Sequence, residues 1–324
     1  MPAPPTTTTT ATPPAATSAE DAVRGRLREL ARQAAEAGRQ ALTPAPPRAL
    51  GRSRRPADDL DERDSYLLRD LMPVSWVASS LWFRAQVDGL HHVPESGPVL
   101  LVGNHSGGAS SPDSVVLTTA FASRFGPERA LYLLVHGAAR AWPGRRVLRR
   151  LGVLPSCTET ARAALAQGAC VLVYPGGERE LHRPSWDSAS LDLGEDRSWV
   201  HLALEADAPI VPVVALGGQE TALFLGPLDR LVERSGVGRL PLLRRVRVPS
   251  APVALGPPWG VNVGGRLAQL PLPAKVTVQV LPAIDVRERF GPDPDPAVVA
   301  EHVTATMREM LDELARRRRL PVVG

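Results

Sequence analysis

The segment VLLVGNHSGGASSPD, residues 99–113, joins a short apolar run to residue types that can exchange protons. It contains GNHSG, which differs from the G-x-S-x-G elbow of serine hydrolases because His105 occupies the central position and Ser106 follows it. Asp113 is the next acidic residue along the chain. Three interpretations are open: a displaced serine nucleophile, a histidine base without its own nucleophile, or a polar turn after a strand.

A histidine with a nearby carboxylate and no required serine suits direct acyl transfer. His105 would take the proton from an alcohol as that alcohol attacks an acyl thioester, and Asp113 would hold the imidazole tautomer and stabilise the imidazolium. Such a base contributes ~10²–10⁴-fold to a rate. The structural alternatives are an ordinary strand cap for His105 and a helix N-terminal position for Asp113.

A second polar loop, YPGGERELHRP at residues 174–184, follows the apolar run ACVLV. Gly176 and Gly177 free backbone N–H groups, and Arg179 and Arg183 can neutralise an anion. In an open α/β sheet, loops at the carboxyl ends of the strands line the binding site. We therefore expect both loops to face one cleft, where donors from the second loop would stabilise an oxyanion.

From residue 98 onward, β-branched runs alternate with helical patterns. This alternation predicts an α/β fold with a mixed, mostly parallel central sheet flanked by helices. The predicted strands are residues 98–103, 131–135, 169–174, 209–215, 252–255 and 275–281, and the predicted helices are 113–124, 158–167, 196–207 and 296–318.

Three regions of the chain differ in composition. Residues 1–20, rich in Pro, Thr and Ala, predict a disordered tail, and residues 21–57 predict a charged helix followed by a Pro/Arg linker. Residues 58–324 are predicted to be the functional domain. Its first segment, 64–87, has the aromatic and apolar character of an amphipathic interfacial helix, and packing against its own domain is the alternative.

The charge pattern favours a lipid surface over nucleic acid. The net charge is +4, and Lys275 is the only lysine, so the positive charge is almost entirely arginine. Arginines cluster at 145–150, 239–247 and 316–319, mixed with leucine and valine, which suits the headgroups of an anionic membrane; solvated helix faces are the alternative. Aromatic residues make up 4% and no nucleic-acid motif occurs, so no nucleic-acid partner is expected.

The remaining sequence features favour a cytoplasmic protein without a resident cofactor. No apolar run reaches the roughly 18 residues of a membrane-spanning helix, and the N-terminus lacks the basic-then-apolar pattern of a signal peptide. Cys157 and Cys170 are the only cysteines, which predicts reduced thiols. No His/Cys/Asp spacing indicates a metal site.

The two loops, in this order, resemble the glycerolipid and lysophospholipid acyltransferases, most closely the bacterial subgroup related to diacylglycerol acyltransferases. The likeness runs from about residue 69 to residue 321 and comprises four blocks: Asn104-His105 with Asp113, residues 152–161, residues 174–179 and residues 208–214. The resemblance implies that His105 and Asp113 are catalytic. The substrate-binding residues it implies are Asn104, Gly107, Gly108, Thr158, Glu159, Pro175, Gly176, Gly177, Glu178, Arg179 and Arg183.

The resemblance also implies the reaction partners. The donor would be acyl-CoA or acyl carrier protein, and the acceptor a hydroxyl of a glycerolipid-type molecule in phospholipid or other lipid metabolism. The protein would associate peripherally with the inner face of the membrane and would need no cofactor beyond its co-substrate.

Three positions depart from the family's pattern. The aspartate stands eight positions after the histidine instead of five, and we expect Gly107 and Gly108 to form a bulge that restores the contact. Thr158 replaces the arginine of the second block, and Gly176 replaces the glutamate of the third. In the family those two groups hold the phosphate of the acceptor. The sequence therefore favours a neutral alcohol such as diacylglycerol.

Two other functions remain open. One is a non-catalytic lipid-binding protein on the same fold, and the other is a serine hydrolase that uses Ser106. Release of free thiol from acyl-CoA separates them: a transferase needs an added alcohol, a hydrolase does not, and a binding protein releases nothing.

Overall fold

A computed structural model of the protein describes residues 60–135, 145–235, 251–258, 260–264, 269–320 and 322–323. The predicted tail 1–20, the predicted helix and linker 21–57 and the arginine cluster 239–247 lie outside the described residues.

The described chain is organised around a seven-stranded sheet with the strand order β1-β10-β6-β2-β5-β3-β4. A second sheet has three strands in the order β7-β8-β9. The strands are β1 (Gln86–Asp88), β2 (Val99–Gly103), β3 (Leu131–Val135), β4 (Val153–Pro155), β5 (Cys170–Val173), β6 (Ile210–Leu216), β7 (Leu223–Pro227), β8 (Pro252–Gly256), β9 (Gly260–Val263) and β10 (Thr277–Val280).

The large sheet is parallel from β6 through β2, β5 and β3 to β4. Only β10 pairs antiparallel, with β6, and β1 continues parallel to β10. This arrangement confirms the predicted mixed, mostly parallel sheet. The segment predicted as a strand at 252–255 is β8, which lies in the small antiparallel sheet and not in the central one.

Helices cover both faces of the large sheet. They are α1 (Ser65–Val77), α2 (Pro112–Phe125), α3 (Arg145–Arg150), α4 (Thr158–Ala166), α5 (Gly177–Leu181), α6 (Ser198–Glu205), α7 (Leu228–Ser235), α8 (Val286–Phe290) and α9 (Pro296–Arg317). The side chains of β2 alternate between the two cores: Leu100 and Val102 pack in the cluster that includes residues of α4, α6 and α9, and Leu101 packs in the cluster that includes residues of α2. All five residues of β2 are buried, as expected for a central strand covered on both faces.

The N-terminal helix is shorter than the predicted 64–87. Asp64 caps α1 by accepting the Leu67 N–H, and the helix continues as a π-helical turn over Ala78–Trp82. The chain then turns at Arg84, with a positive φ of 39°, and Gln86 begins β1 by donating its N–H to the carbonyl of Val276. Residues 86–88 therefore extend the sheet instead of the helix. None of the helices in the described ranges combines the length and the apolar composition needed to cross a bilayer.

Helix α9 supplies much of one core. Asp295 caps its N-terminus by accepting the Ala297 N–H, and Val303, Met307 and Leu311 lie on its inner face with no exposed surface. Replacing Leu311 with alanine removes buried methyl groups and leaves a cavity.

We predict that Leu311→Ala lowers the free energy of unfolding by about 2–5 kcal/mol. Val298→Ala on the same helix, where the side chain is 52% exposed, changes it by less than about 0.5 kcal/mol. Urea denaturation followed by circular dichroism measures both. Equal losses in the two variants would contradict the position of this helix over the sheet.

Candidate active site

The two polar loops leave the sheet at the same edge. Strand β2 is parallel to β5 with Val102 opposite Val173, and parallel to β6 with Gly103 opposite Val213. The carboxyl ends of these three neighbouring strands therefore meet, and the segments that follow them converge. This is the edge at which open α/β sheets bind ligands.

His105 and Asp113 are in direct contact. The imidazole Nδ1 lies 3.0 Å from Asp113 Oδ2, and the two residues are 7% and 2% exposed. The carboxylate also accepts the backbone N–H groups of Ser106 and Ser114, both at 2.8 Å. Asp113 stands in the first turn of α2, where the helix dipole favours a negative charge.

Left-handed backbone explains how a spacing of eight residues allows this contact. Gly107, Gly108 and Ser111 have φ angles of 83°, 61° and 40°. The chain folds into a compact 3₁₀ turn at residues 108–110 before α2 begins at Pro112. A Cβ atom at Gly107 would lie 2.3 Å from Pro112 Cδ, so this position requires glycine. The extra residues are absorbed in the turn, as the predicted bulge requires.

Tyr174 fixes the plane of the His105 ring. The two rings are stacked with centroids 4.0 Å apart and an interplanar angle of 4°. Burial raises the pKa of Tyr174 well above its ordinary value, so the phenol is neutral, and its hydroxyl lies 2.8 Å from Ser114 Oγ. Gly103 makes room for this ring, because a Cβ there would lie 2.7 Å from Tyr174 Cε1.

These contacts assign the two nitrogens of the imidazole different roles. A carboxylate can only accept a hydrogen bond, so Nδ1 carries the proton and donates a hydrogen bond to Asp113. Nε2 then holds the lone pair. It makes no hydrogen bond within the described residues, and it is not one of the buried polar atoms that lack a hydrogen-bond partner. The pair is therefore arranged as a general base whose free nitrogen reaches solvent.

Glu180 holds the His105 loop through a hydrogen bond. This residue of α5 is 1% exposed; its Oε2 accepts the His105 N–H at 3.0 Å, and its Oε1 accepts the Asp192 N–H at 3.1 Å. Arg183 lies 3.3 Å from the same carboxylate and is also buried. Burial raises the pKa of Glu180 to about 7, against the opposing effects of Arg183 and the two N–H donors.

Gln219 joins the two loops, and sequence reasoning missed it. Its Oε1 accepts the Gly107 N–H at 3.0 Å, and its Nε2 donates to the carbonyls of Glu180 and Arg183 at 3.0 and 3.1 Å. It has no exposed surface. One signal was available: Gln219 follows two glycines directly after β6, which is the third strand that ends at this edge.

Ser106 is not arranged as a nucleophile. Its Oγ is buried, and no hydrogen-bond partner exists for it among the described residues, His105 included. It lies against Gly218, where a Cβ would stand 2.1 Å from Oγ. Its backbone N–H donates a hydrogen bond to Asp113.

Asn104 is placed differently from the predicted substrate-binding role. Its side chain is 1% exposed, donates from Nδ2 to the Ala215 carbonyl at 2.8 Å and accepts the Ala215 N–H at 2.7 Å. The amide thus clamps the end of β2 to β6, and both of its polar groups are occupied.

The arginines of the second loop differ in environment. Arg183 is neutralised by Glu180, whereas the Arg179 side chain is 63% exposed and lies 3.8 Å from Asp192. Gly177 donates its N–H to Tyr174 and opens α5, a short helix that the sequence did not predict. The other loop residues predicted to bind substrate lie in the same segment: Pro175, Gly176 and Glu178, the last exposed.

Thr158 and Glu159 lie apart from the histidine. Both are exposed in the first turn of α4, after β4. Strand β4 is three places from β2 in the sheet, roughly 14 Å at the usual strand spacing. Among the described residues, no hydrogen bond or ion pair connects them to the His105 loop. In the same part of the chain, no group of three His, Cys, Asp or Glu side chains is arranged to hold a metal ion.

Comparison with known proteins agrees with this geometry. The profile of the Acyltransferase family matches residues 84–216, the segment that contains both loops. Human 1-acyl-sn-glycerol-3-phosphate acyltransferase alpha is 32% identical over 143 residues, which cover 42% of this chain and 47% of the human protein. The segment that contains both loops is therefore similar to the acyltransferases of glycerolipids.

Other relatives cover more of the chain. An uncharacterised protein of Mycobacterium tuberculosis is 27% identical over 233 residues, 72% of this chain and 61% of that protein. The chain thus spans about three fifths of the length of its mycobacterial relatives and about half of the human one. The crystal structure of the 1-acyl-sn-glycerophosphate acyltransferase PlsC from Thermotoga maritima superposes with a TM-score of 0.50 at 16% identity, covering 79% of this chain and 82% of PlsC, which shows a shared fold.

The raised pKa of Glu180 predicts a pH-dependent stability. The folded protein binds this proton up to about pH 7 and the unfolded chain only to about 4.5, so the stabilisation is full below pH 4.5 and is lost as the pH rises to 7. We predict that the free energy of unfolding of wild type falls relative to that of Glu180→Gln as the pH rises from 4.5 to 7. Denaturant titrations at several pH values measure it.

The matched control is Glu178→Gln, which makes the same substitution at an exposed residue of the same helix. A flat difference for Glu180→Gln would show that this carboxyl does not titrate in that window.

Proposed function

We propose that the protein is an O-acyltransferase that moves a fatty acyl group from acyl-CoA or acyl carrier protein to a hydroxyl of a glycerolipid-type acceptor, with His105 as general base. The observation that carries this proposal is the 3.0 Å contact between His105 Nδ1 and Asp113 Oδ2, which leaves Nε2 as the basic nitrogen at the opening. The match of residues 84–216 to the Acyltransferase family supports the reaction class.

In the proposed reaction, His105 Nε2 takes the proton of the acceptor hydroxyl while the hydroxyl oxygen bonds to the thioester carbonyl carbon. Asp113 stabilises the imidazolium through the Nδ1 hydrogen bond. The tetrahedral oxyanion then collapses, the carbon–sulfur bond breaks, and the imidazolium returns its proton to the departing thiolate. No step requires an acyl-enzyme.

The two alternatives are less well supported by the geometry. A serine hydrolase needs Ser106 Oγ hydrogen-bonded to the base, and that atom is buried away from it. A binding protein would have no need of a buried histidine that stacks on Tyr174 and donates its N–H to Glu180, beside a carboxylate that accepts two backbone N–H groups. The hydroxyl-dependent release of thiol is therefore the expected activity.

We predict that His105→Ala abolishes thiol release from acyl-CoA in the presence of an alcohol acceptor, because it removes the nitrogen that takes the proton of the alcohol. Asp113→Asn lowers the rate by about 10²–10⁴-fold, since the imidazolium loses its counter-charge. Ser106→Ala serves as the control and keeps most of the activity. An acyl group trapped on Ser106, or more than a few per cent of activity in His105→Ala, would contradict the mechanism.

An uncharged acceptor is the second part of the proposal. The Arg183 side chain is buried and lies 3.3 Å from Glu180. Thr158, which stands where the pattern of the resembled family has an arginine, is exposed and three strands away. Arg179 is the remaining cation of the second loop, and it points to solvent beside Asp192. The human relative is named for a phosphorylated acceptor, so this chain would differ from it in acceptor charge.

We predict that diacylglycerol is a better acceptor than lysophosphatidate, and that Arg179→Gln changes the rate with the neutral acceptor less than about twofold. A screen of both acceptors against labelled acyl-CoA, read by lipid mass spectrometry, measures the preference. A preference for lysophosphatidate that Arg179→Gln removes would overturn the neutral-acceptor proposal and leave the general base intact.

The acceptor is a lipid, so the proposal includes peripheral association with the inner face of the cytoplasmic membrane. The support is the N-terminal helix and the turn after it, on which Trp76, Leu81 and Trp82 are exposed. Aromatic and apolar side chains of this kind settle in the headgroup region of a bilayer.

A further inference from the structure

Several exposed apolar side chains of the described residues lie on connected segments. Trp82 donates its indole N–H to the carbonyl of Pro271 at 2.8 Å, and the two residues beside that proline, Leu270 and Leu272, are exposed. Leu272 in turn donates its N–H to Thr221, two residues before the exposed Leu223 of β7. The π-helical turn, the segment 269–272 and the small sheet therefore form one surface.

The small sheet has two unlike faces. Phe224, Ala254 and Asn262 lie opposite one another across β7, β8 and β9 and are buried. In the neighbouring row, Leu223 and Val261 flank Leu255, and both are exposed, at 45% and 63%. We call Leu81, Trp82, Leu223, Val261, Leu270 and Leu272 the apolar face.

Positive charges without counter-charges border the apolar face. Arg84 follows Trp82 and donates to the Val322 carbonyl, which also accepts the Lys275 N–H. Arg319 lies next to Arg318, whose guanidinium donates to the Lys275 carbonyl. Arg318 is paired with Glu220, whereas Arg84, Lys275 and Arg319 have no acidic partner within the described ranges.

We infer that the apolar face is the surface by which the protein docks on an anionic lipid bilayer. Exposed tryptophan and aliphatic side chains enter the headgroup region, and the bordering cations meet lipid phosphates. A second copy of the chain fits this surface poorly, because a two-fold contact would bring the same unpaired cations of both copies together. This inference extends the membrane association in the proposed function and names the elements that carry it.

The inner side of the same sheet reaches the candidate active site. Phe224 packs against Gly108, where a Cβ would lie 2.8 Å from its ring, and Gly108 belongs to the turn between His105 and Asp113. The small sheet therefore separates the docked lipid from the histidine loop by the thickness of one sheet. A lipid acceptor would have a short path from the bilayer to the base.

Flotation of the full chain with vesicles tests the inference. We expect binding to vesicles of phosphatidylcholine mixed with phosphatidylglycerol, and weaker binding at high salt or to phosphatidylcholine alone. Val261→Glu and Leu270→Glu each lower the partition coefficient about tenfold or more, because an apolar contact is replaced by a like charge. Lys275→Gln lowers it about fivefold.

The matched control is Val298→Glu, which places the same substitution at a 52% exposed valine on α9. Its vesicle binding should equal that of wild type. Equal binding by Val261→Glu, Leu270→Glu and wild type would overturn the inference. So would a lowered melting temperature or a changed oligomeric state of those two variants without lipid, since the face would then be buried within the folded chain or against a second copy. The readout involves no acyl transfer, so its failure is separable from that of the proposed reaction.

Discussion

The hydrogen bond from His105 to Asp113 is the constraint around which the site is arranged. The two residues are eight positions apart in sequence. Their side chains are in contact because the intervening backbone adopts left-handed conformations at Gly107, Gly108 and Ser111. The bond determines which imidazole nitrogen carries the proton, and therefore which nitrogen is available to a substrate. Few other loop sequences could adopt this arrangement.

The polar groups beneath the site show how the loop is kept in place. Glu180, Gln219 and Asn104 are all buried, and each bonds to backbone groups of a neighbouring segment. An unpaired buried polar group costs about 1–3 kcal/mol, so moving any of these segments alone would leave several such groups unpaired. The segments after β2, β5 and β6 are thereby held as one unit, and the histidine inherits its position from all three.

The sequence predicted the parts of this structure that depend on long apolar runs. Residues 131–135 have the same bounds in both, and β2, β5 and β6 differ from prediction by only a residue or two, because a strand buried on both faces is continuously apolar. Strands β1, β4, β7 and β9 were missed because they are partly exposed, so they lack a continuous apolar run.

The sequence predicted the histidine–aspartate pair of the candidate site, and it predicted less well the residues that hold this pair in place. His105 and Asp113 were identifiable from residue type and order, and two adjacent glycines indicated how the spacing is absorbed. Asn104 and Arg183 were expected to meet substrate; the Asn104 side chain bonds to Ala215, 111 residues away, and Arg183 lies against Glu180, three residues before it. Gln219 acts only through contacts 36 to 112 residues away, which no local pattern reports.

The stacking of Tyr174 on His105 has a consequence for chemical reactivity. With ring centroids 4.0 Å apart there is no space for the imidazole to turn over about its Cβ–Cγ bond, so its two nitrogens cannot exchange places. An electrophile that reaches the pocket would therefore alkylate or carbethoxylate a single nitrogen and yield a single regioisomer. Free histidine, whose ring tumbles and tautomerises, would give a mixture.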